Sequence, residues 1–172
     1  DMLERLWPDR PAVPASPVTT LDVECFGGIS RLDKISWLRK WMMLQEVDKV
    51  LLTSLDEIAW LLNVRGSDIE YNPLVISYLL VTQDDVKWFV KKPSFAGELD
   101  PDTEDSFSEL TADGVDIEDY DAIYSGLADL GNGCSGVFVD PSTLNHHIYN
   151  CICDTFPAES VVFGKSPVIL EK

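Results

Sequence analysis

Residues 49–91 hold three short apolar runs, and the signals between them leave little choice of fold. Lys49–Thr53 (KVLLT) is apolar without alternation, as expected for a strand buried on both faces. Ser54 follows in the N-cap position of a short helix, LDEIAWLL, with Glu57 placed to complete a capping box. Residues 74–82 (LVISYLLVT) read as a second strand. Asp84 and Asp85 make a turn, and 86–91 (VKWFVK) alternates like the hairpin partner of that strand. A buried strand, a helix and an antiparallel pair together call for a sheet covered by helices.

The flanking sequence continues the pattern. Ser30 caps a predicted helix over Asp33–Glu46, with Ile35, Leu38, Trp41, Met42 and Gln45 at helical spacing. Beyond 92, GVDIED and GVFVD (136–140) read as strands, and SVVFG (160–164) as the last one. Tyr120–Leu130 predicts a helix ended by Gly131, and Pro141–Asp154 another. Residues 93–114 are polar and rich in Pro, Gly and Asp, which predicts a surface excursion with at most a turn or two of helix. Helices interleaved with strands indicate one α/β domain, a mixed sheet with helices on both faces. A length of 172 residues suits a single core.

Both termini read as cut from a longer polypeptide. DMLERLW resembles the last turns of a helix. Prolines at 8, 11, 14 and 17 follow, spaced for an extended, semi-rigid linker. At the other end Ser166 is a good N-cap and Pro167 suits the first helical position. The expected organisation is a linker from a preceding domain over 1–19, an α/β domain over 20–165, and over 166–172 the start of a helix leading into a further domain.

Charge narrows the partners. Net charge is -17. Residues 93–164 hold 15 acidic side chains and no Lys or Arg. Such a surface repels a phosphate backbone, so nucleic acid is excluded as a partner. It reads as a solvated face, or as a face for a basic partner such as a histone. The longest nearly apolar run, at 74–81, is far short of the ~20 residues of a membrane helix, so no membrane partner is expected. No signal peptide is visible. Cys25, Cys134, Cys151 and Cys153 are too few and too irregular for a disulfide framework, so they read as reduced thiols in a cytoplasmic protein.

Tests for catalytic chemistry find little. Neither phosphate-cradling glycine motif occurs, and GNGCSG (131–136) lies after a helix, where glycine serves as a C-cap. His147 and Cys151 share one helix face and make half a zinc site at most. His146 is their neighbour, Cys153 points elsewhere, and no second ligand pair follows. Small buried thiols packing a helix explain them as well. A Cys nucleophile lacks an orienting third group. Asp56 and Glu57 suit the first turn of a helix. Trp37, Trp41, Trp60 and Trp88 fall in apolar patterns of the core. Ser67 has no nucleophile-elbow setting.

The loop between the short helix and the strand at 74 is the densest polar stretch: Arg65, Gly66, Ser67, Asp68, Glu70, Tyr71 and Asn72. Asp68 and Glu70 admit a metal or acid/base reading, but a dinuclear hydrolase needs about five converging ligands. Otherwise Arg65 is expected to pair with a carboxylate, Gly66 to permit a turn, and Asp68 and Asn72 to form Asx-type turns.

LDEIAWLLNVRGSDIEYNP, with the flanks WPDRPAVPASPV, GGISRLDKISWLRKWM and SPVILEK, resembles the middle domain of the cytosolic three-domain Xaa-Pro aminopeptidases (aminopeptidase P). The resemblance covers 1–92 and 160–172 and is weak over 93–135. It implies a fold like the N-terminal domains of creatinase and aminopeptidase P. It also implies a parent that removes the N-terminal residue before proline, using two divalent metals, usually manganese, in a separate catalytic domain. None of that family's ligand motifs matches here, so the resemblance implies a chain without catalytic or metal-binding residues and without a bound cofactor. Partners implied are the parent's N-terminal and catalytic domains, a homodimer of the parent, and Xaa-Pro peptides. Arg65, Gly66, Ser67, Asp68, Tyr71 and Asn72 would then face another domain or the substrate path. The rival expectations are an acidic creatinase-like module that binds basic peptides or histones, and a small metal hydrolase built on Asp68 and Glu70.

Overall fold

A computed structural model describes residues 6–7, 9–26, 28–92, 94–95, 98–130 and 136–172. The strands are β1 (Thr19–Thr20), β2 (Lys49–Leu52), β3 (Val64–Arg65), β4 (Ser77–Thr82), β5 (Val86–Val90), β6 (Ser94–Phe95), β7 (Glu98–Leu99), β8 (Val115–Asp119), β9 (Val137–Val139) and β10 (Val161–Phe163). The helices are α1 (Val23–Phe26), α2 (Arg31–Leu44), α3 (Leu55–Leu62), α4 (Pro101–Ala112), α5 (Ile123–Leu130), α6 (His146–Thr155) and α7 (Pro167–Glu171).

Six strands form one mixed sheet in the order β10-β9-β2-β4-β5-β8. β2, β9 and β10 run parallel; β4 is antiparallel to β2 and to β5; β5 and β8 are parallel. Alternation along each strand splits the core between the two faces. Val50 and Leu52 of β2, Leu79 and Val81 of β4, and Trp88 of β5 join Leu38, Met42, Leu61, Leu62 and Leu110 on one face. Leu51, Leu80 and Phe89 join Ile123, Leu127, Ile148 and Ile152 on the other. The helices on both faces are thus required by residues that alternate within unbroken apolar runs. Trp88 is fully buried, while Trp37, Trp41 and Trp60 are partly buried against the same core.

Three expectations need correction. Residues 101–112 form a three-turn helix, not an excursion. Asp100 caps it, its side chain accepting from the Thr103 amide at 3.1 Å, and Thr103, Ser106, Phe107 and Leu110 are buried. Half of that buried face is hydroxyl, which disguised it. The helix expected from Pro141 starts at His146. Asp140 first folds Ser142 back in a turn, and Asn145 then caps the helix, accepting from the Ile148 amide at 2.9 Å. The capping box of α3 does not form. The Ser54 hydroxyl donates to Asp56 at 2.6 Å, and Glu57 turns into the protein to accept from the hydroxyl of Ser166. Ser30 does cap α2 as expected, 3.1 Å from the Asp33 amide. The predicted helix end at Gly131 and the first residues of the chain lie outside the described residues. Among the described residues, no helix is long and apolar enough to cross a membrane.

Candidate functional site

The polar loop joins β3 to β4 at the edge of the sheet where β2 and β5 end and β4 begins. Most of its polar groups are committed to the chain's own backbone. Asp68 sends one carboxylate oxygen to the Ser16 amide (2.7 Å) and the other to the Ile76 amide (2.8 Å). It ties two segments far apart in sequence, in place of the expected Asx turn. The Ser67 amide donates to the Ser16 hydroxyl at 2.8 Å. β1 then pairs with β3, Thr19 opposite Arg65 and Thr20 opposite Val64. Deeper in, the Val18 amide donates to the Thr103 hydroxyl at 2.9 Å. The segment expected as a linker is therefore anchored to the domain from Ser16 onward.

Arg65 finds carbonyls where a carboxylate was expected. One terminal nitrogen donates to Ala59 (3.1 Å) and to Val64 (2.8 Å), at the C-terminal end of α3, where the helix dipole favours a cation. Gly66 is required by proximity and not by a turn: a Cβ there would lie 2.6 Å from a Val75 methyl and 3.3 Å from the Ser16 hydroxyl. Glu70, Tyr71 and Asn72 point outward. Tyr71 is 97% exposed and holds a positive φ of 61°. The Asn72 amide bonds to the Ile69 carbonyl at 3.0 Å, closing the loop tip. Asp68 and Glu70 do not converge with further ligands: among the described residues, no three His, Cys, Asp or Glu side chains gather as a metal site would require.

A second cluster lies at the ends of β2 and β9. In α/β sheets this edge is where ligands commonly bind. Here the chain fills it. Asp140 accepts from the Ser166 amide (2.9 Å), the Ser142 amide (2.9 Å) and the Ser142 hydroxyl (2.6 Å). Burial works to raise its pKa, but those bonds win and hold it below the usual carboxylate range. Glu57 is buried; its desolvation pushes the carboxyl up, opposed by the Ser166 bond. Ser166, Pro167 and Val168 are buried over the cluster, and Lys172 closes it at the surface with Asp56 (2.7 Å). Nothing in the sequence marked this cluster, because Glu57 and Ser166 are 109 residues apart.

The remaining candidates separate. The His147 ring lies 4.4 Å from the ring of Tyr124, and His146 is exposed. Cys151 is half-buried and Cys153 is exposed, which corrects the expectation of buried thiols. Cys134 lies outside the described residues.

Comparisons with known proteins agree with this architecture. Residues 9–172 match the family described as Creatinase/Prolidase N-terminal domain. A probable Xaa-Pro aminopeptidase P of Laccaria bicolor is 46% identical over 52% of the chain, which covers 14% of that protein. Xaa-Pro aminopeptidase 2 of Rattus norvegicus is 34% identical over 95% of the chain, covering 24% of the relative. The crystal structure of X-prolyl aminopeptidase from Caenorhabditis elegans, described as a cytosolic enzyme with a di-nuclear active site, superimposes with a TM-score of 0.80. It is 30% identical over 98% of this chain and 26% of its own. The chain thus spans about a quarter or less of the length of these relatives.

Proposed function

The chain belongs to the creatinase/prolidase N-terminal domain family, and from that premise we propose that it is the non-catalytic middle domain of a cytoplasmic, manganese-dependent Xaa-Pro aminopeptidase. The parent would remove the N-terminal residue from peptides with proline second. This domain would support its assembly and substrate access. One observation carries the reading: the polar groups that look like a site are spent on holding the chain's own segments. Asp68 holds Ser16 and Ile76, while Asp140 and Glu57 hold Ser166.

The described residues do not fit a di-nuclear metal centre. The two buried-edge carboxylates already accept from Ser166 and Ser142, and Asp68 has both oxygens engaged. No hydrolytic step is therefore assigned to them. What they do is position the chain. Glu70, Tyr71 and Asn72, with the outer surface of Arg65 and Ser67, are the groups left for contact with the parent's N-terminal and catalytic domains, a second copy in a homodimer, or the Xaa-Pro peptide.

A second reading draws on α4, which turns Asp102, Glu104, Asp105 and Glu109 to solvent. It makes the chain an acidic module for basic peptides or histones. Two assays separate the readings. Release of the N-terminal residue from an Xaa-Pro peptide, with manganese added, is expected from the longer polypeptide and not from this chain. Low-salt binding of a basic histone-tail peptide, lost when Asp100, Asp102 and Asp105 are neutralised, would favour the second reading.

A further inference from the structure

Lys34, in the first turn of α2, is 5% exposed. Its ammonium donates to the Trp60 carbonyl (2.5 Å) and to Asn63 Oδ1 (2.6 Å), and lies 4.4 Å from the centre of a Trp60 ring. Asn63 stands in the left-handed region at the end of α3 and donates its own amide to the Ile29 carbonyl at 3.0 Å. Arg65 follows two residues later, bonded to the carbonyls of Ala59 and Val64. Every partner of these two cations among the described residues is neutral. The chain carries 30 acidic side chains, so two adjacent cations without one of them stand out. Arg31 is different: it meets Glu109 at 2.6 Å and Asp113 at 3.2 Å.

A cavity of about 490 Å³ opens beside Lys34 and Arg65. Its walls are Trp60, Ile29 and Phe26, the last two 55% and 70% exposed, and Lys172 closes one side. Two acids share the wall. Asp22 is occupied by the Glu24 amide (2.8 Å) and the Cys25 thiol (3.1 Å); Glu171 is exposed. Burial, with Arg65 and Arg31 nearby, lowers the Lys34 pKa to about 8. An anion in the cavity would reverse that strain.

We propose that this cavity receives a carboxylate, an Asp or Glu side chain from another domain of a longer polypeptide. Arg65 binds it with the N–H groups not used on α3, Lys34 reinforces the charge, and Phe26 and Ile29 cover its aliphatic stem. The relatives are about four times the length of this chain, so the proposed parent has other domains to supply the carboxylate, and two cations with only neutral partners among the described residues suit it in charge. Only the source of the carboxylate rests on the reading of the chain as one domain of a peptidase; the receptor itself does not.

The test follows the Lys34 side-chain nitrogen by NMR while N-acetylglutamate methylamide is added to this chain. N-acetylglutamine methylamide and matched sodium chloride are the controls. The expected result is a saturable shift with a Kd in the millimolar range, a rise in the Lys34 pKa, and a parallel change in Trp60 fluorescence. Arg65→Met should weaken binding at least about tenfold, and Arg65→Lys less, since a lysine cannot present the planar fork. No saturable shift in the unaltered chain, or an equal shift with glutamine or chloride, overturns the proposal whatever the variants do. In the longer polypeptide Lys34 should already titrate in the ordinary lysine range and ignore the probe. If it still responds there, the carboxylate comes from a separate molecule and the internal source is wrong. Peptidase activity is a separate readout, so failure here is distinguishable from failure of the proposed function.

Discussion

Residues 16–20 and 164–172 are both tied to the sheet by carboxylates, but in different surroundings. The first segment is held by half-exposed Asp68, by one buried bond from Val18 to Thr103 and by the two-residue pairing of β1 with β3. The second is held by Glu57 and Asp140 beneath buried Ser166, Pro167 and Val168. Hydrogen bonds shielded from water are stronger, and leaving one unmade costs more. The C-terminal segment is therefore held by two buried carboxylates, whereas the N-terminal one is pinned at buried Val18 and can loosen only to either side of it, at Ser16 and Thr19.

The C-terminal segment is most vulnerable at Asp140. Asp140→Ala removes acceptors for the Ser166 and Ser142 amides and should lower the unfolding free energy by about 2–3 kcal/mol in urea titrations. Hydrogen exchange at the Ser166 amide should accelerate while the Ser16 amide stays as before. Asp68→Ala should do the reverse at about 1–2 kcal/mol, with faster exchange at Ser16 and Ile76 and an unchanged α7. Gly66→Ala should fall in the same range, because the added methyl must displace a Val75 methyl 2.6 Å away.

Acidity sharpens the contrast further. Burial raises the Glu57 pKa in the folded protein, so its contribution is full below the ordinary carboxyl pKa and is lost as pH rises through the folded value. Glu57→Gln keeps an acceptor for Ser166 without that dependence. Urea titrations from pH 4 to 7 should show the variant gaining on the parent sequence as pH rises; a constant difference would mean Glu57 is not desolvated. The smallest effect belongs to Lys172→Ala. Its partner Asp56 has a lowered pKa, chiefly through the Lys172 bond, but both side chains are partly exposed, and the loss should stay below about 0.5 kcal/mol.

The same contrast explains what could be read in the sequence. The sheet was legible because VLL, YLLV and WFV are unbroken apolar runs too short for a helix to bury, interrupted at buried positions only by Lys49 and Ser77 at their starts. α4 was not, because Thr103 and Ser106 occupy half its buried face. The Thr103 hydroxyl donates to Asp100 and accepts from the Val18 amide, contacts that spacing does not reveal. The loop at 65–72 was recognisable as special by its polarity, yet Asp68 serves Ser16, 52 residues away. Glu57 carried a local helix-cap signature and was taken instead by Ser166. In each case a long-range bond overrode a local preference, and such bonds leave no mark on periodicity.

Whether this chain alone binds metal decides where the hydrolytic centre lies. Titration calorimetry with manganese should give only the weak, salt-sensitive heat of a diffuse acidic surface, unchanged by Asp68→Asn or Glu70→Gln. Two tight sites, abolished by those substitutions, would place the hydrolytic centre in these residues and contradict the account.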